Sequence, residues 1–213
     1  MLVKICGITR LEDAEAAVAC GANALGFVFW PTSPRFIDPY RARAIVSTLP
    51  PFVTAVGVFV NQATDHVNGV ATLAGLGAVQ LHGDETVADA SGITRPVLKA
   101  IAIAESSDEE IERWPRHVTP LLDVHDSVRR GGTGRTVDWT RAAAIARRRR
   151  IVLAGGLTPD NVADAIARVG PFGIDVSSGV EKSPGVKDHD RLRALFHAVS
   201  EADSLQNTQW TQS

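Results

Sequence analysis

Short β-prone runs recur along the chain, and each stops at a polar residue or a glycine. KIC runs into GIT at 4–9, QL into HGDE at 80–85, LL into Asp123, LA into GGL at 153–157, and DV into SSGVE at 175–181. Such runs fall near residues 2–6, 24–29, 53–60, 78–82, 97–103, 120–124, 151–154 and 173–178. The stretches between them predict helices at 11–20, 39–49, 62–75, 84–92, 106–114, 138–147, 159–169 and 188–199. Thr9 is placed to cap the first helix, Asp38 and Pro39 open the second, and Thr158-Pro159-Asp160 marks the start of the seventh. Asp84 and Glu85 read as the acidic start of the fourth.

Every crossover between strands is long enough to hold a helix, which makes the strands parallel. An open doubly wound sheet shares that alternation. Eight units in 213 residues, with no dinucleotide fingerprint, favour a closed barrel: an α/β, single-domain (β/α)8 TIM barrel over residues 1–199. The tail at 200–213, EADSLQNTQWTQS, is polar and is expected to be disordered, with Trp210 too isolated to anchor it.

Alternation along a strand assigns its two faces. Val3 and Ile5 oppose Lys4 and Cys6; Val79 and Leu81 oppose Gln80 and His82; Ile174 and Val176 oppose Asp175 and Ser177. Helices cover the outside of a barrel, so the apolar sets face outward and the polar sets face the axis. Polar residues at strand ends on the inside then gather at one mouth, where barrels of this class do their chemistry.

Composition narrows the field. A net charge of −2 gives no broad basic field for nucleic acid or a membrane surface. The run Arg147–Arg150 is the local exception, read as a solvated helix end, with anion or partner binding as the alternative. Cys6 and Cys20 lack zinc-site spacing and are too few for a disulfide framework. MLVKIC enters a strand directly, and no segment is long enough to span a bilayer, so a cytoplasmic, reducing setting is expected.

The candidates for chemistry lie at the strand ends. Gly155 and Gly156 close the seventh strand, and Ser177, Ser178 and Gly179 close the eighth, the usual phosphate site of this barrel. Gly131–Gly134 is a third glycine-rich loop, either a lid or a plain flexible turn. Cys6 is either a buried small hydrophobe or, at this position, a base. Cys20, beside Gly21 near a helix end, reads as structural. Asp123 caps a loop or transfers protons, Asp175 is placed to orient sugar hydroxyls, and His82 either carries protons or hydrogen-bonds within the mouth. Arg35, in WPTSPRF on a proline-stiffened loop, is a surface arginine or a carboxylate clamp, with Trp30 and Phe36 as candidate aromatic walls. No metal-ligand cluster and no nucleotide loop is evident.

KICGIT (4–9), GFVF (26–29), SPR (33–35), GVFV (57–60), QLHGDE (80–85), LLD (121–123), GGTGRTVDW (131–139), LAGGLTPDNV (153–162) and DVSSGVEKSPGVKD (175–188) together resemble the phosphoribosylanthranilate isomerase family of tryptophan biosynthesis. The resemblance runs from about residue 3 to 198 and departs at none of these positions. It implies an Amadori rearrangement of N-(5-phosphoribosyl)anthranilate to 1-(2-carboxyphenylamino)-1-deoxyribulose 5-phosphate, without cofactor or metal, in a monomer or homodimer. It further implies Asp123 as general acid, Cys6 as general base, Arg35 on the anthranilate carboxylate, and Gly156, Ser178 and Gly179 on phosphate. Asp175 would touch the sugar or the amine. Rival readings are another phosphosugar-processing barrel enzyme and a non-catalytic phosphate-sensing barrel.

Overall fold

A computed structural model describes residues 1–103, 107–123 and 139–210, without the side chains of 205–210. Eight parallel strands form a closed barrel in chain order: β1 (Leu2–Cys6), β2 (Ala24–Val28), β3 (Thr54–Phe59), β4 (Ala78–Leu81), β5 (Val97–Ala102), β6 (Thr119–Asp123), β7 (Val152–Ala154) and β8 (Gly173–Val176). The β1–β8 ladder, Leu2↔Gly173 through Ile5↔Val176, closes the ring. Helices α1 (Leu11–Cys20), α2 (Pro39–Val46), α3 (Thr64–Ala74), α4 (Val87–Ser91), α5 (Ser107–Arg113), α6 (Trp139–Ala146), α7 (Val162–Val169) and α8 (His189–Trp210) alternate with the strands. None of the described helices is long and apolar enough to cross a membrane.

The two strand faces separate as alternation requires. Val3, Ile5, Leu25, Phe27, Val79, Leu81, Ile174 and Val176 join the main core between barrel and helices. Cys6, Val28 and Val58 form a separate small cluster. The helices meet the strands through small residues such as Ala14, Ala17, Ala71 and Ala165, all fully buried, which lets the layers approach closely. Each fully buried Leu, Ile or Phe in that layer is worth about 1.5–3 kcal/mol.

Several local expectations are corrected. Thr9 does not cap α1; its hydroxyl donates to the Gly185 carbonyl (2.5 Å), because a short hairpin of β9 (Glu181–Ser183) and β10 (Val186–Lys187) folds onto that loop. The segment Thr158–Asp160 lies before α7; Asn161 braces it, accepting from Thr158 N (2.8 Å) and donating to Gly156 O (2.9 Å). Arg149 is no solvated helix end: its buried guanidinium donates to the carbonyls of Ile111, Trp114, Pro115 and Val118. Arg148 pairs with Asp108, and Arg150 lies over the Phe172 ring. The segment expected to be a disordered tail continues α8 as far as Trp210. Leu192, Leu195, Val199 and Ala202, buried at spacings of three and four, carry the apolar stripe onward, and the Met1 ammonium pairs with Asp203 at 2.8 Å. The glycine loop Gly131–Gly134 and the side chain of Trp210 lie outside the described residues.

Glu85 is the most consequential correction. Thr86, not Glu85, caps α4, in a capping box with Asp89. Glu85 is buried, pairs with Lys99 (2.9 Å) and accepts from the amides of Asn61 (2.8 Å) and Gly83 (2.9 Å). It thereby ties the loop after β3 to the loop after β4, next to His82. Burial alone would raise its pKa, but Lys99, the Asn61 amide and its own backbone amide outweigh that and hold it below the usual glutamate value. Its ionised form therefore stabilises the fold above the unfolded pKa, and this is lost as pH falls through the folded value. Glu85→Gln should cost about 3 kcal/mol at pH 7 by urea denaturation, because a buried cation loses its partner. The gap from the parent protein should close on acidification, and a pH-independent gap would contradict the ionic account.

Candidate functional site

At the C-terminal rim of the barrel the strand ends surround one cavity of about 410 Å³. Cys6 from the end of β1, Arg35 from the loop after β2, His82 after β4, Asp123 at the end of β6, Gly155 and Gly156 after β7, and Asp175, Ser177 and Ser178 on and after β8 all line it. Val28, Val58 and Trp30 supply apolar wall, whereas Phe36 does not line it. Gly179 is absent from this lining but shares an adjoining cavity of about 580 Å³ with Gly156 and Ser178. Cys20 lies apart, at the end of α1.

Space around the thiol is set by glycine. A Cβ on Gly26 would come within 2.7 Å of Cys6 Sγ, so only glycine at that strand position leaves the sulfur room. Lys4, one residue-pair below Cys6 on the same strand face, is buried and pairs with Asp175 at 2.8 Å. Burial pushes the Cys6 thiol above its ordinary pKa and Asp175 adds to this, while the Lys4 and Lys187 ammonium groups favour the thiolate. The Lys4 ammonium, disfavoured by burial, is held charged by Asp175 and Cys6. Asp175 Oδ1 is buried with no hydrogen bond in the described structure, an acceptor at the cavity wall for a ligand hydroxyl or amine.

Across the mouth, His82 Nε2 lies 3.7 Å from Asp123 Oδ2, and Gln80 Nε2 lies 2.8 Å from His82 Nδ1. Burial lowers the imidazole pKa despite the pull of Asp123 and Asp175, so the ring is neutral at pH 7. With Gln80 donating to Nδ1, the ring proton sits on Nε2, facing Asp123.

The two glycine loops pack against each other backbone to backbone. A Cβ on Gly179 would fall 1.9 Å from the Leu157 carbonyl oxygen, so no other residue fits there. No described acceptor bonds the amides of Gly155, Gly156, Ser178 or Gly179, which leaves them available to an anion.

Three charged residues that sequence reasoning passed over complete the site. Glu181 takes the Arg35 guanidinium through Nε (2.9 Å) and Nη2 (2.6 Å), and pairs with Lys187 at 2.9 Å. Lys187 in turn donates to the Cys6 carbonyl at 2.5 Å. Burial lowers the Lys187 pKa, with Glu181 opposing; for Glu181 the two cations outweigh burial and hold the carboxyl low. The signal was Pro184-Gly185, a turn dipeptide placing Glu181 and Lys187 opposite one another in a hairpin, as their register confirms. Lys4 was legible as inward-facing, but its ion pair with Asp175 depends on the β1–β8 register. Among the described residues no cluster of three or more His, Cys, Asp or Glu could hold a metal ion.

The family model for N-(5'-phosphoribosyl)anthranilate (PRA) isomerase matches residues 3–198. A relative of that name from Pelobacter propionicus is 48% identical over 202 residues, covering 95% of this chain and 97% of the relative. A crystal structure of the Thermotoga maritima phosphoribosyl anthranilate isomerase superposes with a TM-score of 0.87 at 45% identity, covering 94% and 99% of the two chains. Another, holding reduced 1-(o-carboxyphenylamino)-1-deoxyribulose 5-phosphate, gives 0.84 at 44% identity, covering 94% and 100%. The buried thiol makes its own prediction. With Cys20 replaced by serine, alkylation of Cys6 by iodoacetamide should have a pH midpoint above the ~8.5 of a free thiol; a midpoint at or below that value would contradict the burial argument.

Proposed function

The chain belongs to the N-(5'-phosphoribosyl)anthranilate isomerase family, and on that premise we propose that Cys6 and Asp123 carry the two proton transfers of its Amadori rearrangement. The supporting observation is that Cys6, Asp123, Arg35, Gly156 and Ser178 line a single cavity, with Gly179 on an adjoining one that shares Gly156 and Ser178. The substrate is N-(5-phosphoribosyl)anthranilate. Its phosphate lies on the amides of Gly156, Ser178 and Gly179, with Gly155 and Ser177 beside it, and its aromatic carboxylate lies on Arg35.

Asp123 gives its proton to the furanose ring oxygen. The bond from that oxygen to sugar C1 breaks while the nitrogen lone pair forms C1=N, an iminium. Cys6, as thiolate, then takes the proton from C2, and the C–H electrons form C1=C2 as the iminium electrons return to nitrogen. The resulting enol-amine tautomerises to the ketose 1-(2-carboxyphenylamino)-1-deoxyribulose 5-phosphate. The iminium acidifies the C2 proton, so a thiolate is a sufficient base, and its positive charge forms beside the sulfur. The unpartnered Asp175 oxygen receives a sugar hydroxyl or the substrate amine. The proton taken up by Cys6 leaves to solvent and solvent returns one to Asp123, whose carboxyl the neutral His82 ring faces at 3.7 Å and helps to orient.

Cys6→Ala and Asp123→Asn should each lower kcat by about 10²- to 10⁴-fold, followed by the anthranilate fluorescence of the substrate. Both variants should still bind the reduced product analogue. Near-normal turnover in either would remove that residue from its role. Arg35→Ala should weaken the analogue through its carboxylate, and equal weakening of an analogue lacking the carboxylate would remove Arg35 from that contact.

A further inference from the structure

Arg35 is offered to the cavity by a scaffold rather than by its own loop. Its aliphatic stem crosses Gly7, the residue after Cys6, where a Cβ would lie 2.6 Å from Arg35 Cδ and where φ is +78°. Its guanidinium is held on one edge. Glu181 Oε1 accepts from Nε (2.9 Å) and Oε2 from Nη2 (2.6 Å). The same carboxylate is held from elsewhere too: Oε1 also accepts from Lys187 Nζ (2.9 Å) and Gly185 N (3.2 Å). Lys187 Nζ and Ser177 Oγ both donate to the Cys6 carbonyl, at 2.5 and 3.1 Å.

A guanidinium has a side edge, Nε with Nη2, and an end edge, Nη1 with Nη2, and each fits one carboxylate. Glu181 fills the side edge. Nη1 makes no hydrogen bond to a described residue. Two cationic side chains also share one buried carboxylate, so the cluster is one anion short, and its member at the cavity wall is Arg35. Glu181 is itself buried and off the cavity lining, so it touches no ligand.

We propose that Glu181 is the positioning residue for carboxylate recognition: it clamps the side edge of Arg35, leaving the end edge set for the aromatic carboxylate and, through Lys187, in fixed relation to Cys6. This rests on the reading of Arg35 above. Loss of the clamp frees Arg35 to other rotamers and acts on affinity for the carboxylate before it acts on chemistry.

The test compares the reduced product analogue with the same compound lacking its carboxylate, as inhibitors of the parent enzyme, Arg35→Ala, Glu181→Gln and the double variant. Glu181→Gln should weaken the carboxylate compound about 10- to 100-fold and the other by less than about threefold, with the kinetic loss falling on KM rather than kcat. In the Arg35→Ala background Glu181→Gln should add nothing. Equal weakening of both compounds, or additive losses, would overturn the proposal. If Arg35→Ala loses the carboxylate preference and Glu181→Gln keeps it, only the role of Glu181 fails; if Arg35→Ala keeps it, the reading of Arg35 fails as well. Independently of any variant's folding, the Arg35 Nε–H NMR signal in the parent enzyme should be protected from solvent exchange and stay in place when the carboxylate compound binds. Fast exchange in the free enzyme, or a large shift on binding, would contradict the clamp.

Discussion

The β1–β8 ladder is the constraint on which the rest depends. By closing a parallel sheet, it obliges all eight strands to end at the same rim, and it gives every strand one face toward helices and one toward the axis. Residues more than a hundred positions apart then become neighbours without any local sequence signal. Lys4 meets Asp175 because the register pairs those two positions, and Cys6 is delivered beside the loop that follows β8. The apolar layer on the outer face carries the stability of the barrel, which leaves the inner rim free to hold groups that pack poorly.

What gathers there is a set of buried charges in partial balance. Lys4 is matched by Asp175, Lys99 by Glu85, and Arg35 with Lys187 by the single carboxylate of Glu181. Burying ions is costly unless each finds partners, and such pairs contribute little net stability against an apolar replacement. Their presence is better explained by what they organise. The Glu85 pair joins two loops beside His82, and the Glu181 cluster joins the Arg35 loop, the hairpin and the carbonyl of Cys6. The thiol sits between these systems, disfavoured as an anion by burial and favoured by two nearby ammonium groups.

The sequence carried the barrel and the residues around its cavity well, because both follow from local rules: alternation within a strand, and polar residues where strands stop. It carried the long-range partners poorly. Thr9 has the residue type of a helix cap, yet a hairpin 176 positions away takes its hydroxyl. Glu85 has the look of a first-turn acid, yet Lys99 on the next strand claims it. In both cases a tertiary partner outcompetes a local one. The continuation of α8 is a different kind of miss, since Leu192, Leu195, Val199 and Ala202 were visible at helical spacing beneath a polar composition. Glu181 and Lys187 were signalled by the Pro184-Gly185 turn between them, but what they bind depends on where the hairpin lands.

The central claim is that a thiol and a carboxyl group from strands far apart around the ring work on one sugar held at its two ends. A crystal structure of this protein with the reduced product analogue tests it most directly. The account predicts phosphate on the amides of Gly156, Ser178 and Gly179, the aromatic carboxylate on Arg35, and Cys6 Sγ within about 3.5 Å of sugar C2, with Asp123 at the oxygen released from C1. A complex in which the sulfur points away from C2, or lies on the side of the sugar where Asp123 stands, would contradict it.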